Sequence, residues 1–267
     1  MRPVLFEVGG YSIYTYGFMI AVGAIAGIAY MAIQGKKETG LSFDQANTLF
    51  LLIFFAAVVG GKVFLFFEDP SGYVREPAKL LRGSGFVFYG SFLFAVPTML
   101  WFFRKNKLNT YKMLDVMAVT TCLLHIFGRF GCFFAGCCHG TPADHFLAVT
   151  FTDPVCYANP KGIPLHPTQL YEAFFIFLIM LYLLWRRNNK RFDGELFLSY
   201  LIGYAIGRFG IEFFRGDTER GFVLGGLMSH AQLVAVLILV VALLLYRRWI
   251  HHGVSVIGKR NLKTPVV

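Results

Sequence analysis

Charge is scarce in this sequence: Asp, Glu, Lys and Arg together make up 15% of its 267 residues, where a typical soluble domain carries roughly a quarter. Acids are the scarcer sign, 15 against 25 Lys and Arg, which leaves a formal net charge of +10. Polar surface for a water-soluble body is therefore missing, while 56% of the residues are hydrophobic and 30 are Phe. Surface scaling leaves too much area exposed for one globular core to hide so much apolar side chain. A soluble enzyme is excluded, and a disordered or fibrous chain with it. Long-period repeats and low-complexity segments are also absent. The opening MRPVLFEVGG places an acid and two glycines before any apolar run, which argues against a cleavable signal peptide. The surplus of +10 resembles a nucleic-acid signal, but in a chain this apolar it records membrane orientation. An integral membrane protein is what remains, with membrane lipids and not nucleic acid as its surroundings.

What the chain has in abundance is long apolar runs. A helix needs about 20 mostly apolar residues to cross the hydrocarbon layer. Seven stretches qualify: Ile13–Ile33, Ala46–Phe67, Phe86–Phe103, Met113–Phe134, Thr168–Trp185, Glu195–Phe214 and Met228–Ile250. The expectation is an all-α membrane protein of seven transmembrane helices, read as one polytopic domain over residues 1–267. The basic residues sort by loop. Lys36, Lys37, Arg104, Lys105, Lys107, Lys112, Arg186, Arg187, Lys190, Arg191, Arg247, Arg248, Lys259, Arg260 and Lys263 follow the odd-numbered spans. Arg2, Arg75, Lys79, Arg82, Lys161, Arg215 and Arg220 lie on the other side. The positive-inside rule then puts the N-terminus outside and the C-terminus in the cytoplasm. The loop DPSGYVREPAKLLRGSG holds three basic residues on the sparser side, a composition suited to a short amphipathic segment on anionic headgroups.

Three basic residues remain, Lys62, Arg129 and Arg208, within or near the ends of spans. A cation at that depth costs at least about 2.5–3.5 kcal/mol on insertion scales, and usually faces a polar cavity. Lys62 has a flexible stem that can snorkel to the interface. The arginines sit in polar stripes. His125, Arg129 and Cys132 fall at i, i+4 and i+7 in HIFGRFGC, one face of a helix. Tyr204, Arg208, Glu212 and Arg215 follow at spacings of four, four and three, again one face. Gly203 and Gly207 supply a small-xxx-small packing pattern. In LHPTQLYEA, Gln169 and Glu172 share a face beside Tyr171, and a buried Glu172 calls for Arg129 or Arg208 as its cationic partner. A guanidinium fork suits bidentate capture of phosphate, so two intramembrane arginines point to a phospholipid headgroup or another lipid-linked phosphate. A self-satisfied Arg208–Glu212 ion pair is compatible with the same spacing. Tyr16, Tyr89 and Tyr204 also fit an interfacial aromatic belt.

Taken together, these segments make a chain that resembles the prolipoprotein diacylglyceryl transferases of bacteria. The resemblance rests on Tyr16-Gly17, Gly60-Gly61-Lys62, the Gly85–Gly90 segment, GRFG at 128–131, HPTQLYEA at 166–173 and YxxxRFxxEFFRxD at 204–217. It implies a seven-span enzyme of the bacterial cytoplasmic membrane, without a cofactor or metal. Such an enzyme moves the diacylglyceryl group of phosphatidylglycerol onto the lipobox cysteine of a prolipoprotein signal peptide, releasing glycerol phosphate. It further implies Arg129, Arg208, Tyr16 and Tyr89 at the reaction. Around the lipid it implies Lys62, Gly90, His166, Gln169, Tyr171, Glu172, Tyr204, Glu212 and Arg215. The chain departs from the family pattern in several places. Tyr89 stands where the family usually has His, Cys132 where it has Asn, Gly136-Cys137 where it has Gly-Glu, Thr141 where it has Arg, and Lys62 where it has Arg.

The cysteines keep other readings open. Cys122 lies mid-span and reads as a small core residue. Cys132, Cys137, Cys138 and Cys156 cluster on the outer side with His139 adjacent. An oxidising exterior favours a disulfide, for instance Cys156 with Cys137 or Cys138. Metal binding, thiol chemistry, or a thiolate or His139 replacing the missing base are the alternatives; C-x4-C-C-H is not a standard zinc spacing. A membrane thiol-redox or metal-binding protein, a transferase with a different acceptor, or a lipid-binding protein without chemistry would each use the same scaffold.

Overall fold

A computed structural model describes residues 2–76, 87–216 and 221–261. The chain divides into two compact units, Met1–Gly27 with Leu114–Val267, and Ile28–Met113. It opens with a hairpin of β1 (Val4–Val8) and β2 (Tyr11–Tyr14), followed by the helices α1 (Thr15–Thr39), α2 (Phe43–Glu68), α3 (Pro70–Arg75), α4 (Phe88–Lys105) and α5 (Thr110–Ala135). Then come β3 (Val149–Thr150), β4 (Pro164–Leu165), α6 (Thr168–Arg186), α7 (Glu195–Ile211), β5 (Phe222–Val223), β6 (Met228–Ser229) and α8 (His230–Asn261).

Among the described residues six helices are long and apolar enough to cross a membrane: α1, α2, α5, α8, α6 extended to Asn189, and α7 extended to Phe214. The expected third span is α4, an 18-residue helix with Pro97 inside and Arg104 and Lys105 in its last turn. Its ends are too polar for it to join the six. The expected helical architecture holds, and among the described residues three two-stranded antiparallel ladders flank the helices. Two of them displace predicted span starts. Ile13 pairs with Phe6, so the first helix begins at Thr15. Met228 pairs with Val223, so the last begins at His230. Ser229 and Gln232 bond each other's backbone N–H groups there, a capping box that starts α8. Of the loop expected to lie on headgroups, only its first part falls in α3; the rest, with Lys79 and Arg82, lies outside the described residues, as do Gly85, Asp217, Arg220 and Lys263.

Within the unit Ile28–Met113, α2 and α4 cross where Gly60 meets Gly90. A Cβ on either glycine would run into the other's carbonyl oxygen. Both are buried, and the missing side chains let the backbones touch, which is how helices associate where lipid removes the hydrophobic drive between them. Gly90 is thus a packing glycine. Lys62 is half-buried next to this crossing in sequence, and Tyr89 is 57% exposed.

In the other unit, α1 packs on α5 through Gly23 against Phe127, Gly27 against Thr120, and Tyr16 against Gly131. Helix α7 lies on α6 with Gly203 against Ile179 and Gly207 against Phe175. One end is closed by Asp115, an acid of α5 that drew no attention in the sequence. Its carboxylate accepts from the N–H groups of Gly194 (2.9 Å), Leu196 (2.9 Å) and Phe197 (3.2 Å) and from Lys190 Nζ (3.1 Å). The start of α7 is therefore capped by another helix, with negative charge at the positive end of its dipole. Gly194, at φ +94°, adopts the left-handed turn that precedes it. Glu195 adds bonds from Arg186 Nε (2.9 Å) and Tyr246 (3.1 Å), tying in α6 and α8.

Replacing Asp115 by Ala strips the acceptor from four donors at once, which should cost about 3 kcal/mol or more. Thermal unfolding of the detergent-solubilised protein should show a clear loss for D115A and a smaller one for D115N, which keeps one oxygen. Equal melting of all three proteins would refute the cap.

Candidate functional site

The stripes predicted on α5 and α7 and the HPTQLYE segment come together in the unit Met1–Gly27 with Leu114–Val267. At the end of α5, Gly136 takes φ +78°, its N–H bonds Phe133 O (3.2 Å) and the Cys137 N–H bonds Cys132 O (3.2 Å). This pairing is a Schellman stop, which satisfies the last carbonyls of the helix and folds the next residues back over it. Residues 137–141 are then stitched on two sides. Thr168 Oγ1 donates to Cys138 O and Gln169 Nε2 to Cys137 O, both at 2.7 Å. Gly140 N–H donates to His166 O (2.8 Å), His166 N–H to Thr141 O (3.0 Å), and Thr141 N–H to Phe214 O (2.9 Å). Gly140 and Arg215 form a backbone bridge. A Cβ on Gly140 would collide with Phe214 O, His166 and Thr168, so only glycine fits.

Behind this loop lie the charges. Glu172, 1% exposed, receives Arg129 Nη2 at 2.8 Å and His125 Nε2 at 3.0 Å, both on Oε1. Arg129 Nε also lies 3.3 Å from His125 Nε2. One nitrogen cannot donate and accept together, and the shorter contact assigns its proton to the bond with Glu172. Arg208 Nη2 meets Glu212 Oε2 at 2.8 Å, the ion pair that the spacing allowed. Tyr204 packs against His125, ring centroids 5.5 Å apart, and is within electrostatic reach of Glu172, Arg208, Arg129 and Arg215. Three arginines against two carboxylates leave the constellation with a surplus of positive charge.

Glu172, Arg208 and the neighbouring Gln169 are left incomplete. Among the described residues, the buried side-chain nitrogens and oxygens without a hydrogen-bond partner are Gln169 Oε1, Glu172 Oε2 and Arg208 Nη1. Buried polar atoms are normally satisfied. Orphans confined to this one constellation, one charged donor and two acceptors, are what a site for an anionic, hydroxyl-bearing ligand presents.

The remaining expected residues separate into three groups. Tyr16, 44% exposed, lies within electrostatic reach of Arg129, Cys132, Cys137 and Cys138. Tyr171 and His166 join His145, which the sequence reading did not single out: His166 Nδ1 is 3.2 Å from the Tyr171 hydroxyl and 3.0 Å from His145 Nε2. Burial and the neighbouring His145 push His166 down from its ordinary value. His139 is committed elsewhere. Its Nε2 accepts from the Asn159 N–H (3.2 Å) and its Nδ1 donates to Gly140 O (2.9 Å).

All five cysteines are free thiols. The bridge expected between Cys156 and Cys137 or Cys138 does not form. Cys156 is buried with Phe151, Ala158 and Leu165, an apolar cluster that holds it by packing. Cys132, Cys137 and Cys138 instead gather, their Sγ atoms all within 4.8 Å of one another. Hydrogen bonds from the Cys132 and Cys137 thiols, then the charges of Arg215 and Arg129, hold Cys138 far below the ordinary thiol range. Hydrogen bonding with Cys132 and Cys138, and then burial, push Cys137 up.

A polytopic helical membrane protein with a buried arginine–carboxylate anion site is the class these features define. A profile of the prolipoprotein diacylglyceryl transferase family matches residues 3–248, and the chain belongs to that family. It is 35% identical over 248 residues, 92% of its length and 94% of the relative, to phosphatidylglycerol–prolipoprotein diacylglyceryl transferase 2 of Clostridium perfringens. The corresponding transferase of Clostridium tetani is 34% identical over 247 residues, covering 92% of this chain and 97% of that protein. The transferase of Dehalococcoides mccartyi is 29% identical over 244 residues, 91% of this chain and 92% of the relative.

A thiolate already formed at neutral pH reacts without waiting for deprotonation. After reduction and chelation, alkylation of Cys138 should rise less steeply between about pH 6 and 8 than that of an ordinary thiol, which gains about tenfold per unit. Peptide mass mapping reads this directly. A tenfold-per-unit slope at Cys138 would refute its depressed ionisation.

Proposed function

We propose that the protein is a phosphatidylglycerol–prolipoprotein diacylglyceryl transferase of the bacterial cytoplasmic membrane. In this reading α4 completes seven spans, with the N-terminus outside and the C-terminus in the cytoplasm. The observation that carries it is the set of three orphaned polar atoms. Phosphatidylglycerol brings a phosphate for the Arg208 Nη1 donor and glycerol hydroxyls for the Gln169 Oε1 and Glu172 Oε2 acceptors. Arg129 and Arg208, each fixed by its own carboxylate at 2.8 Å, hold the phosphate between them. Tyr204, within reach of both, helps to place it.

The lipobox cysteine thiolate attacks the glyceryl carbon that bears the phosphate. A C–S bond forms, the C–O bond breaks, and its electron pair leaves on glycerol phosphate, with the thiol proton passing to the released ester or to water. Negative charge grows on the leaving phosphate in a low-dielectric site, where preorganised guanidinium donors stabilise it without reorganising. The acceptor thiol must reach this site from the outer side, where the loop 136–141 and Tyr16 lie. Lys62, Tyr89 and Gly90 belong to the unit Ile28–Met113.

Incubation of the purified protein with labelled phosphatidylglycerol and a lipobox peptide should yield a thioether-linked peptide, read by mass. Arg208→Lys keeps the charge but loses the fork, and should lower kcat/KM by about 10²-fold. Arg129→Ala should abolish transfer. An unmodified peptide with intact lipid in the unaltered protein would overturn the reading.

A further inference from the structure

The cysteine cluster is not used by the transfer reaction as derived above, and its construction is specific. We propose that Cys132, Cys137 and Cys138 form a three-thiolate site for a soft divalent metal ion, with Zn²⁺ as its probe. The spacing C-x4-C-C is foreign to ordinary zinc motifs because the sequence crosses a helix stop. The Schellman turn brings the residue just past Gly136 back over the last helical turn, so Cys137 returns to Cys132 through the bond from its N–H to the Cys132 carbonyl (3.2 Å). Cys138 then takes φ +62°, which only it and Lys107 adopt among the described non-glycine residues. A side chain in that region costs energy and persists where the surroundings impose it. The surroundings here are the 2.7 Å bonds from Thr168 and Gln169 that pin the carbonyls of Cys138 and Cys137.

The distances suit a metal. Thiolates around one zinc at Zn–S of about 2.3 Å sit roughly 3.7–4.0 Å apart, and the three Sγ atoms already lie within 4.8 Å. Closing the set takes side-chain rotation of an ångström or less. On binding, whichever of the three sulfurs still carry protons release them to solvent, three S–metal bonds form, and the dication with three thiolates carries one negative charge. Arg129, within electrostatic reach of Cys132 and Cys138, and Arg215, within reach of Cys138, offset that charge. Sulfur ligands without a carboxylate among them select soft ions over Mg²⁺ or Ca²⁺. Three protein ligands leave a fourth position for water or an incoming ligand.

The test uses the reduced full-length protein in detergent, loaded with Zn²⁺ or Co²⁺ and desalted, with no activity assay. One retained equivalent of zinc, and a thiolate-to-cobalt charge-transfer band in the near ultraviolet, are expected. Both should be lost in the C132S/C137S/C138S variant and kept in C122S and C156S. Should the triple variant fail to fold, alkylation mapping of the unaltered chain decides. Zinc must then slow modification of all three cysteines by about tenfold or more. No retained zinc, a cobalt spectrum without the thiolate band, equal zinc in a folded triple variant, or unprotected cysteines would each overturn the site. Because these readouts involve no lipid or peptide, they stand whether or not the transfer reaction is found.

Discussion

The polar constellation between α5, α6 and α7 is built around the pairing of Arg129 with Glu172. Neither charge is tolerable alone at that depth, since removing one partner of a buried pair typically costs about 3–5 kcal/mol. The 2.8 Å contact joins α5 to α6. Its position also decides what else can exist nearby. Because Arg129 and His125 both lie on Glu172 Oε1, the second oxygen stays open. Because Glu172 stands one turn after Gln169, the same helix start that neutralises the arginine also holds the backbone of the cysteine loop. The HPTQLYE segment is thus a clamp and a counter-ion in a single turn.

The arginine pair turns that scaffold toward chemistry. Arg208 leans on Glu212 along its own helix, whereas Arg129 leans across to another. Two guanidinium groups fixed by different carboxylates cannot collapse onto the same one when no ligand is present. In the proposed reaction each guanidinium is thus held by its own carboxylate before a headgroup arrives.

The arginine stripes were legible in the sequence because helical periodicity aligns residues four and three apart, whereas the partner of Glu172 stayed open between Arg129 and Arg208 until the fold brought Arg129 to it. The long helices were legible from apolar run length, although their ends were not. Ile13 and Met228 are apolar enough to be read as spans, yet pair as strands whose partners lie across a turn. Asp115 was passed over as a stray acid inside an apolar run, because its four partners lie 75 to 82 residues away. The gathering of Cys132, Cys137 and Cys138 was hidden for a related reason. Their proximity comes from a left-handed glycine and a non-glycine residue in the same region, conformations that spacing rules do not encode. His139 meets backbone groups at both ring nitrogens, partners whose places in the fold the sequence does not encode.

The crossing of α2 and α4 at Gly60 and Gly90 has a consequence for how this protein can diverge. The contact made by these two missing side chains is closed on its flanks by Phe64 and Phe94 and does not involve Phe55, Val59, Phe92 or Leu93. These last four are exposed on those same helices and can exchange for other apolar residues as membrane thickness or lipid composition shifts between species. Drift is thus channelled outward, onto the faces that meet lipid, while a change at either glycine would push the helices apart.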